Sequence, residues 1–139
     1  MNFDNRYVYI ILAIIVLASV MGGGFDLLSI LFTIPGVLLA ITFHEYAHAI
    51  VAYKLGDDTP KVQGRLSLNP FTHLDPIAVV LLVFTHIGWG RPVEINPNNF
   101  NKKISAKTGE AIVAAAGPIM NFLLAIVLTI ILYALQIFA

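Results

Sequence analysis

Three long runs of apolar residues dominate the hydropathy pattern of the chain, and polar stretches separate them. The runs cover residues 7–21, 27–55 and 111–138. A helix that crosses the hydrocarbon core needs about 20 apolar residues, so the first run is short and the other two are long enough. The pattern predicts an all-α membrane protein with about three transmembrane helices in one membrane-embedded domain, residues 1–139. A signal peptide is the alternative for the first run, but no A-x-A-like cleavage site follows it.

The linker between the second and third runs, residues 57–110, shows a different pattern. It is rich in Pro, Asn and Gly, and its one apolar run, 77–87, is too short to span a membrane as a helix. We expect that run to be a re-entrant or interfacial segment, because a tryptophan, a residue typical of membrane interfaces, follows it closely. Short strands are expected at 61–68 and 91–95, and a proline confines the second one to a sheet edge.

Composition supports a membrane protein. Hydrophobic residues make up 58% of the chain and charged residues only 12%, with a mean hydropathy of +0.85, whereas soluble domains carry roughly 25% charged residues. The net charge is zero, so charge gives no indication of a nucleic-acid partner. The chain has no cysteine, which excludes disulfides, thiolate zinc sites and cysteine nucleophiles. Any metal must therefore be bound by His, Asp or Glu.

Basic residues set the predicted orientation in the bilayer. The loop 22–26 has none, whereas the 57–110 linker contains six: Lys61, Arg65, Arg91, Lys102, Lys103 and Lys107. The positive-inside rule places this linker and the N-terminus in the cytoplasm, and residue 139 on the other side. The sequence therefore predicts a multi-pass protein with the lipid bilayer as its surroundings.

One motif in the second run carries chemistry, His44-Glu45-Tyr46-Ala47-His48. Side chains four apart lie on one helix face, so the two imidazoles can share one ion, and zinc binds imidazole nitrogen well. Glu45 can serve as general base for a water that such an ion activates. A single histidine in a membrane helix can simply bond to a neighbouring helix. Three ionisable groups within five positions are costly in hydrocarbon, however, and indicate a functional zinc site.

A depth estimate adds one candidate support residue. Residues 27–43 form about 25 Å of helix at 1.5 Å per residue, which puts His44 toward the cytoplasmic side. Asn121 lies ten residues into the third run, at a similar depth. It is a candidate partner for the motif, and an ordinary interhelical hydrogen bond is the alternative role.

Three further segments carry a family resemblance. They read GRLSLNPFTHLDP (64–76), GWGRPVEINP (88–97) and AGPIMN (116–121). Together with the H-E-x-x-H motif they resemble, in order, the site-2 protease family of intramembrane zinc metalloproteases, of the short bacterial and archaeal type. The resemblance covers most of the chain from about Pro35 onward. It implies a prokaryotic cell-membrane endopeptidase that cleaves a peptide bond in or near a transmembrane segment of a membrane-protein substrate.

The resemblance also implies roles for individual residues. His44 and His48 would be zinc ligands and Glu45 the general base. An unwound substrate peptide is expected to pair with an edge strand around 91–95. The family's third ligand is an aspartate in a later N-x-x-P-x-x-x-x-D-G motif, and this chain has no Asp-Gly pair after Asn121.

Several residues are therefore candidates to complete or support the site. Asp75 is the first candidate for the third ligand, although an Asp before a Pro is also common turn chemistry. His73 comes second, and with Asn69 it is a candidate support residue; His86 and Glu94 are weaker. The missing motif leaves an alternative open, a truncated or non-catalytic relative that binds zinc or partners. A complementing C-terminal segment or a homo-oligomer is then an expected partner. A channel or transporter would explain the buried charges but not the motif spacing.

Overall fold

The computed structural model describes residues 5–22, 27–85 and 88–138, and most of them are helical. The α-helices in these ranges are α1 (Asn5–Met21), α2 (Leu27–Lys54), α3 (Thr59–Val62), α4 (Pro76–Thr85) and α5 (Ala106–Phe138). Short 3-10 turns cover Pro70–Thr72 and Pro97–Asn99. By length and composition, α2 and α5 can each cross a membrane, whereas α1 is a shorter apolar helix. A helical protein with two candidate spans is therefore observed, and α1 as a third span stays a prediction.

Small residues bring α2 and α5 close together. The buried residues of α5 are Gly109, Val113 and Gly117, spaced four apart and therefore on one face. Val113 joins Ala52 of α2 and Phe100 of the linker in one buried cluster. In membranes, such small residues let helix backbones approach closely. The packing places the C-terminal half of α2, which carries the H-E-x-x-H motif, against the N-terminal half of α5.

A buried carboxylate fastens the linker to the end of α2. Asp57 is fully buried and accepts hydrogen bonds from Thr59 N (3.1 Å) and Oγ1 (2.6 Å), Asn96 N (2.6 Å) and Asn99 Nδ2 (2.9 Å). Burial alone would raise the pKa of Asp57, but the hydrogen bonds outweigh it and hold the pKa below its usual range. Gly56 (φ 106°) lies so close to the same turn that an added Cβ would be 3.0 Å from the Asn99 carbonyl oxygen.

The strand expected at 61–68 is not found in the described structure. Pro60 near the N-terminus of α3 favours a helical start instead. Gly64, with φ of 70°, then follows the helix in the left-handed conformation that glycine adopts most readily. The helical start at Pro60 and the left-handed Gly64 therefore replace the expected strand.

The second expected strand, at 91–95, is also missing from the described ranges, which contain only an isolated antiparallel bridge between Leu74 and Gly90. Its amide groups have other partners. The Arg91 N–H donates to the His73 carbonyl (2.7 Å), and the Val93 N–H donates to the Glu45 carboxylate (3.1 Å). The segment therefore packs on α2 and on residue 73 rather than forming a regular ladder.

The short apolar run of the linker forms α4, about 15 Å long at 1.5 Å per residue, which is too short to cross a bilayer. Asp75 caps this helix, since its Oδ1 accepts hydrogen bonds from the N–H groups of Ile77 (2.9 Å) and Ala78 (3.0 Å). Helix α4 packs against α1, where the Ser19 hydroxyl donates to the Phe84 carbonyl. A re-entrant or interfacial place for this segment stays a prediction.

Candidate metal centre

The two motif histidines form a pair on the side of α2 that packs against α5. Their ring centroids are 4.7 Å apart, and the rings meet edge to face at 79°. This proximity follows from the spacing of four, which is close to one helical turn. The pair therefore exists as soon as the apolar run folds as a helix.

Helix α5 fixes the orientation of both rings through their Nδ1 atoms. His48 Nδ1 lies 2.6 Å from the Val113 carbonyl oxygen. A carbonyl can only accept, so Nδ1 carries the proton and the neutral ring presents an Nε2 lone pair. His44 Nδ1 lies 3.1 Å from Asn121 Nδ2. Such contacts at the second ring nitrogen are what orients metal-binding histidines in proteins.

The Asn121 amide has two orientations with different consequences for His44. With Nδ2 toward the ring, His44 Nδ1 accepts and its proton sits on Nε2. With the amide turned by 180°, Oδ1 accepts from Nδ1–H, and Nε2 is free to bind a metal. Asn121 Oδ1 is buried without a hydrogen-bond partner in the described structure, so rotation of the amide would let it accept from His44 Nδ1–H.

Gly117 leaves open the space that both Nε2 atoms face. A Cβ added to Gly117 would lie 2.4 Å from His48 Nε2 and 2.5 Å from His44 Nε2. Both nitrogens therefore lie beside one place that any larger residue would fill. Paired imidazole nitrogens are a donor set that zinc favours. The residues present fit two ligands of a zinc ion.

Glu45 is buried and lines a cavity with each of the two histidines. Its Oε2 accepts the Val93 N–H, and a Cβ on Gly90 would be 3.0 Å from Oε1. The carboxylate also borders two cavities of about 350 and 380 Å³, one shared with His44 and the other with His48. Glu45 can therefore meet water or a bound peptide next to either ring.

The other predicted site residues have structural partners elsewhere. Asp75 caps α4, as described above. Asn69 Oδ1 caps the Pro70–Thr72 turn by accepting the Phe71 N–H (3.1 Å). His73 is fully buried with its Nε2 2.7 Å from the Ser67 carbonyl oxygen, and its Nδ1 has no described partner. Glu94 accepts a hydrogen bond from Gln63 (2.7 Å), and His86 lies outside the described residues.

No third ligand joins the two histidines in the part of the chain that the structure describes. There, no three His, Cys, Asp or Glu residues come together as a metal site. Neither Asp75 nor His73 is brought to His44 and His48, and the identity of the third ligand stays open.

Sequence reasoning missed three contributors to the centre. Two are backbone groups, the Val113 carbonyl and the Val93 N–H, which every residue type except proline at 93 could supply. The third is Gly117, which we had noted only as part of the AGPIMN segment. Its position four before Asn121, on the same helix face, is the signal that could have indicated its role.

Comparison with known proteins places this geometry in context. The model of "Peptidase family M50" matches residues 32–138. "Putative zinc metalloprotease YwhC" of Bacillus subtilis is 45% identical over 91 residues, 66% of this chain and 40% of that protein. "Putative zinc metalloprotease Rip2" of Mycolicibacterium smegmatis is 30% identical over 101 residues, 68% and 37% of the two chains. The chain spans about two fifths of the length of these curated relatives, and no solved structure gives a significant match.

Proposed function

The chain belongs to peptidase family M50, and from that premise we propose that it is the zinc-binding core of an intramembrane metalloendopeptidase. The proposed reaction is hydrolysis of a peptide bond in or next to a transmembrane segment of a membrane-protein substrate. One observation carries the proposal. His44 Nε2 and His48 Nε2 lie together beside the space at Gly117, and Glu45 lines one cavity with each histidine.

In this proposal, different residues of the chain bind the metal, orient its ligands and transfer the proton. His44 and His48 would hold zinc through Nε2, and Val113 and Asn121 would orient the rings from Nδ1. When bound, zinc supplies a Lewis acid that makes water acidic enough to lose a proton near neutral pH. Glu45 takes that proton as the water oxygen bonds to the peptide carbon. It then passes the proton to the amide nitrogen as the C–N bond breaks.

The site would lie toward the cytoplasmic side of the bilayer. The six basic residues of the 57–110 linker support a cytoplasmic place for that linker and for the N-terminus, in a multi-pass arrangement. A catalytic zinc normally has three protein ligands and an open position. We expect the third ligand from a residue that the described structure does not bring to the histidine pair, on this polypeptide, a second copy or a complementing segment.

A second candidate function is zinc binding without proteolysis. It is favoured by one observation: no group of three ligands forms within the ranges 5–22, 27–85 and 88–138. Under this alternative the centre would bind zinc more weakly and the chain would act through partners.

Metal analysis and a cleavage assay with Glu45→Gln distinguish the two functions. We expect near-stoichiometric zinc in the detergent-purified wild type and in Glu45→Gln, and its loss in His44→Ala. Cleavage of a model transmembrane substrate should fall at least about 100-fold in Glu45→Gln, because the general base is lost. Glu110→Gln is the matched control, since Glu110 lines the same cavity as Glu45 but contacts neither histidine in the described hydrogen bonds.

The outcomes separate the hypotheses. Equal cleavage by wild type and Glu45→Gln would exclude Glu45 as the base. Zinc without cleavage in the wild type would favour the non-catalytic alternative. A wild-type protein that contains no zinc would refute the protease function for this chain alone.

A further inference from the structure

A polar cavity on the linker contains two arginines and shares no lining residue with the two cavities at the histidine pair. Its volume is about 400 Å³, and its lining residues are Gln63, Arg65, Phe71, Thr72, Arg91 and Glu94. None of them is assigned a part in the chemistry proposed above.

Arg65 is a buried cation, and none of the described residues forms an ion pair with it. Its exposed fraction is 5%, and its Nη1 donates to the Thr72 carbonyl. Within the described residues, neither Arg65 nor Arg91 forms an ion pair. Burial lowers the pKa of Arg65, and the nearby charge of Arg91 lowers it further, while Glu45 and Glu94 offset part of this. A buried charge beside a like charge is costly, so an anion in this cavity would be stabilised.

The charge balance in the cavity still favours an anion. Glu94 is the one carboxylate among the lining residues, and it already accepts a hydrogen bond from Gln63. Among the lining side chains, two guanidinium groups and one carboxylate leave a net positive charge, which the nearby Glu45 carboxylate partly offsets. Planar guanidinium groups bind phosphate oxygens through two parallel hydrogen bonds, which makes phosphate a well-matched ligand.

Phe71 connects this cavity to an apolar one. Its side chain is 81% exposed and also lines a cavity of about 200 Å³ between α2 and α4. Leu38, Leu82 and Trp89 are among the other walls of that cavity, which is almost entirely apolar. A cationic cavity next to an apolar one matches a molecule with an anionic head and a hydrocarbon tail.

We propose that this pair of cavities binds one anionic phospholipid, with its phosphate on Arg65 and Arg91 and an acyl chain that passes Phe71 into the apolar cavity. The basic linker belongs at the cytoplasmic surface by the positive-inside rule, and anionic lipids are found in that leaflet. The proposal does not depend on zinc binding or on proteolysis, although the apolar cavity shares Ile41 and Trp89 with the cavity that His44 and Glu45 line.

The single tryptophan provides a direct assay. Trp89 is the only tryptophan of the chain and lines the apolar cavity, so its fluorescence should change when an acyl chain enters. The purified protein is titrated with dihexanoyl phosphatidylglycerol, dihexanoyl phosphatidylcholine and inorganic phosphate. We expect saturable binding of phosphatidylglycerol at least about fivefold tighter than of phosphatidylcholine, because one arginine near a lipid surface contributes about that factor.

Two pairs of variants test the two halves of the site. Arg91→Gln should weaken phosphatidylglycerol binding about fivefold, whereas Lys102→Gln, an exposed cation elsewhere on the linker, should not change it. Phe71→Ala should weaken the lipid but not inorganic phosphate, whereas Val62→Ala, also an exposed apolar residue, should have no effect. Arg91 is chosen because it is exposed, so its loss spares the packing around Arg65.

Three results would overturn the proposal. The first is equal affinity for the two lipids, or for the wild type and Arg91→Gln. The second is inorganic phosphate binding as tightly as the lipid, with no effect of Phe71→Ala, which would indicate a free-phosphate site. The third is Arg91-dependent binding of an acidic peptide at lower concentrations than phosphatidylglycerol, which would assign the cavity to a protein partner.

Discussion

Replacing Gly117 with alanine tests whether the space between the two imidazoles is a metal position. The added Cβ would lie 2.4 Å from His48 Nε2 and 2.5 Å from His44 Nε2. Ordinary contacts between such atoms are near 3.5 Å. One of the two imidazole rings, or helix α5, must therefore move by about 1 Å. This movement separates the nitrogens from the place beside Gly117.

The expected effect on stability is small, and the effect on zinc is large. Overpacking costs about 1–3 kcal/mol, and alanine regains roughly 1 kcal/mol over glycine in a helix. The net free energy of unfolding should fall by no more than about 2 kcal/mol. Displacing the rings also strains the Nδ1 contacts, and loss of such contacts weakens metal binding 10- to 100-fold. Because the methyl group also fills the metal position, we expect a loss of at least about 100-fold.

The assay is chelator competition for zinc, with thermal unfolding measured in parallel. Gly36→Ala is the matched control, because it places the same methyl group in α2 with no atom within 4 Å. It should keep wild-type zinc affinity. If Gly117→Ala also binds zinc as the wild type does, the two Nε2 atoms do not share an ion at this position.

Three further predictions concern the surroundings of the motif. Asn121→Leu should lower zinc affinity about 10- to 100-fold by freeing the His44 ring, and unchanged affinity in chelator competition would reduce Asn121 to an interhelical contact. Asp57→Asn should lower the free energy of unfolding by about 2 kcal/mol at neutral pH. Because the folded pKa of Asp57 is lowered, this stabilisation exists above about pH 4 and is lost as pH falls through the folded pKa. Unfolding midpoints of the two proteins should therefore converge in acid, and a constant gap would contradict that linkage. Asp75→Ala should cost about 1 kcal/mol as a lost helix cap and keep its zinc, whereas zinc loss would restore Asp75 as a ligand.

The helices and the histidine pair were predictable because each depends on a local pattern. A long apolar run has few alternatives to a helix, and a spacing of four fixes the pair wherever that helix lies. The linker was harder to predict, because residues distant in sequence determine whether the segment 91–95 forms a strand. Glu45 is 48 positions from Val93, and Asp57 is 39 from Asn96. No local periodicity encodes such partners, which is why the strand expected at 91–95 was wrong.

The role of Asp75 illustrates the same limit. Its place before Pro76 fits both a ligand and a cap, and only the folded position of α4 shows the cap. Gly117 matters because it has no side chain. The space that it leaves beside the two histidines exists only once α2 and α5 are packed together, so the sequence alone does not show it.

The residues that support the motif differ in how freely their identity can change during evolution. Val113 supports His48, and Val93 supports Glu45, through main-chain atoms alone. At position 93 the side chain can therefore change without altering the support, except to proline, which lacks the N–H. The Val113 side chain is constrained by its packing against Ala52 and Phe100, although its role toward His48 uses only the carbonyl. Gly117 and Asn121 have no such freedom. Part of the support for the motif thus depends on backbone position and not on residue type. A residue-by-residue comparison of divergent sequences would underestimate how much of this support is shared.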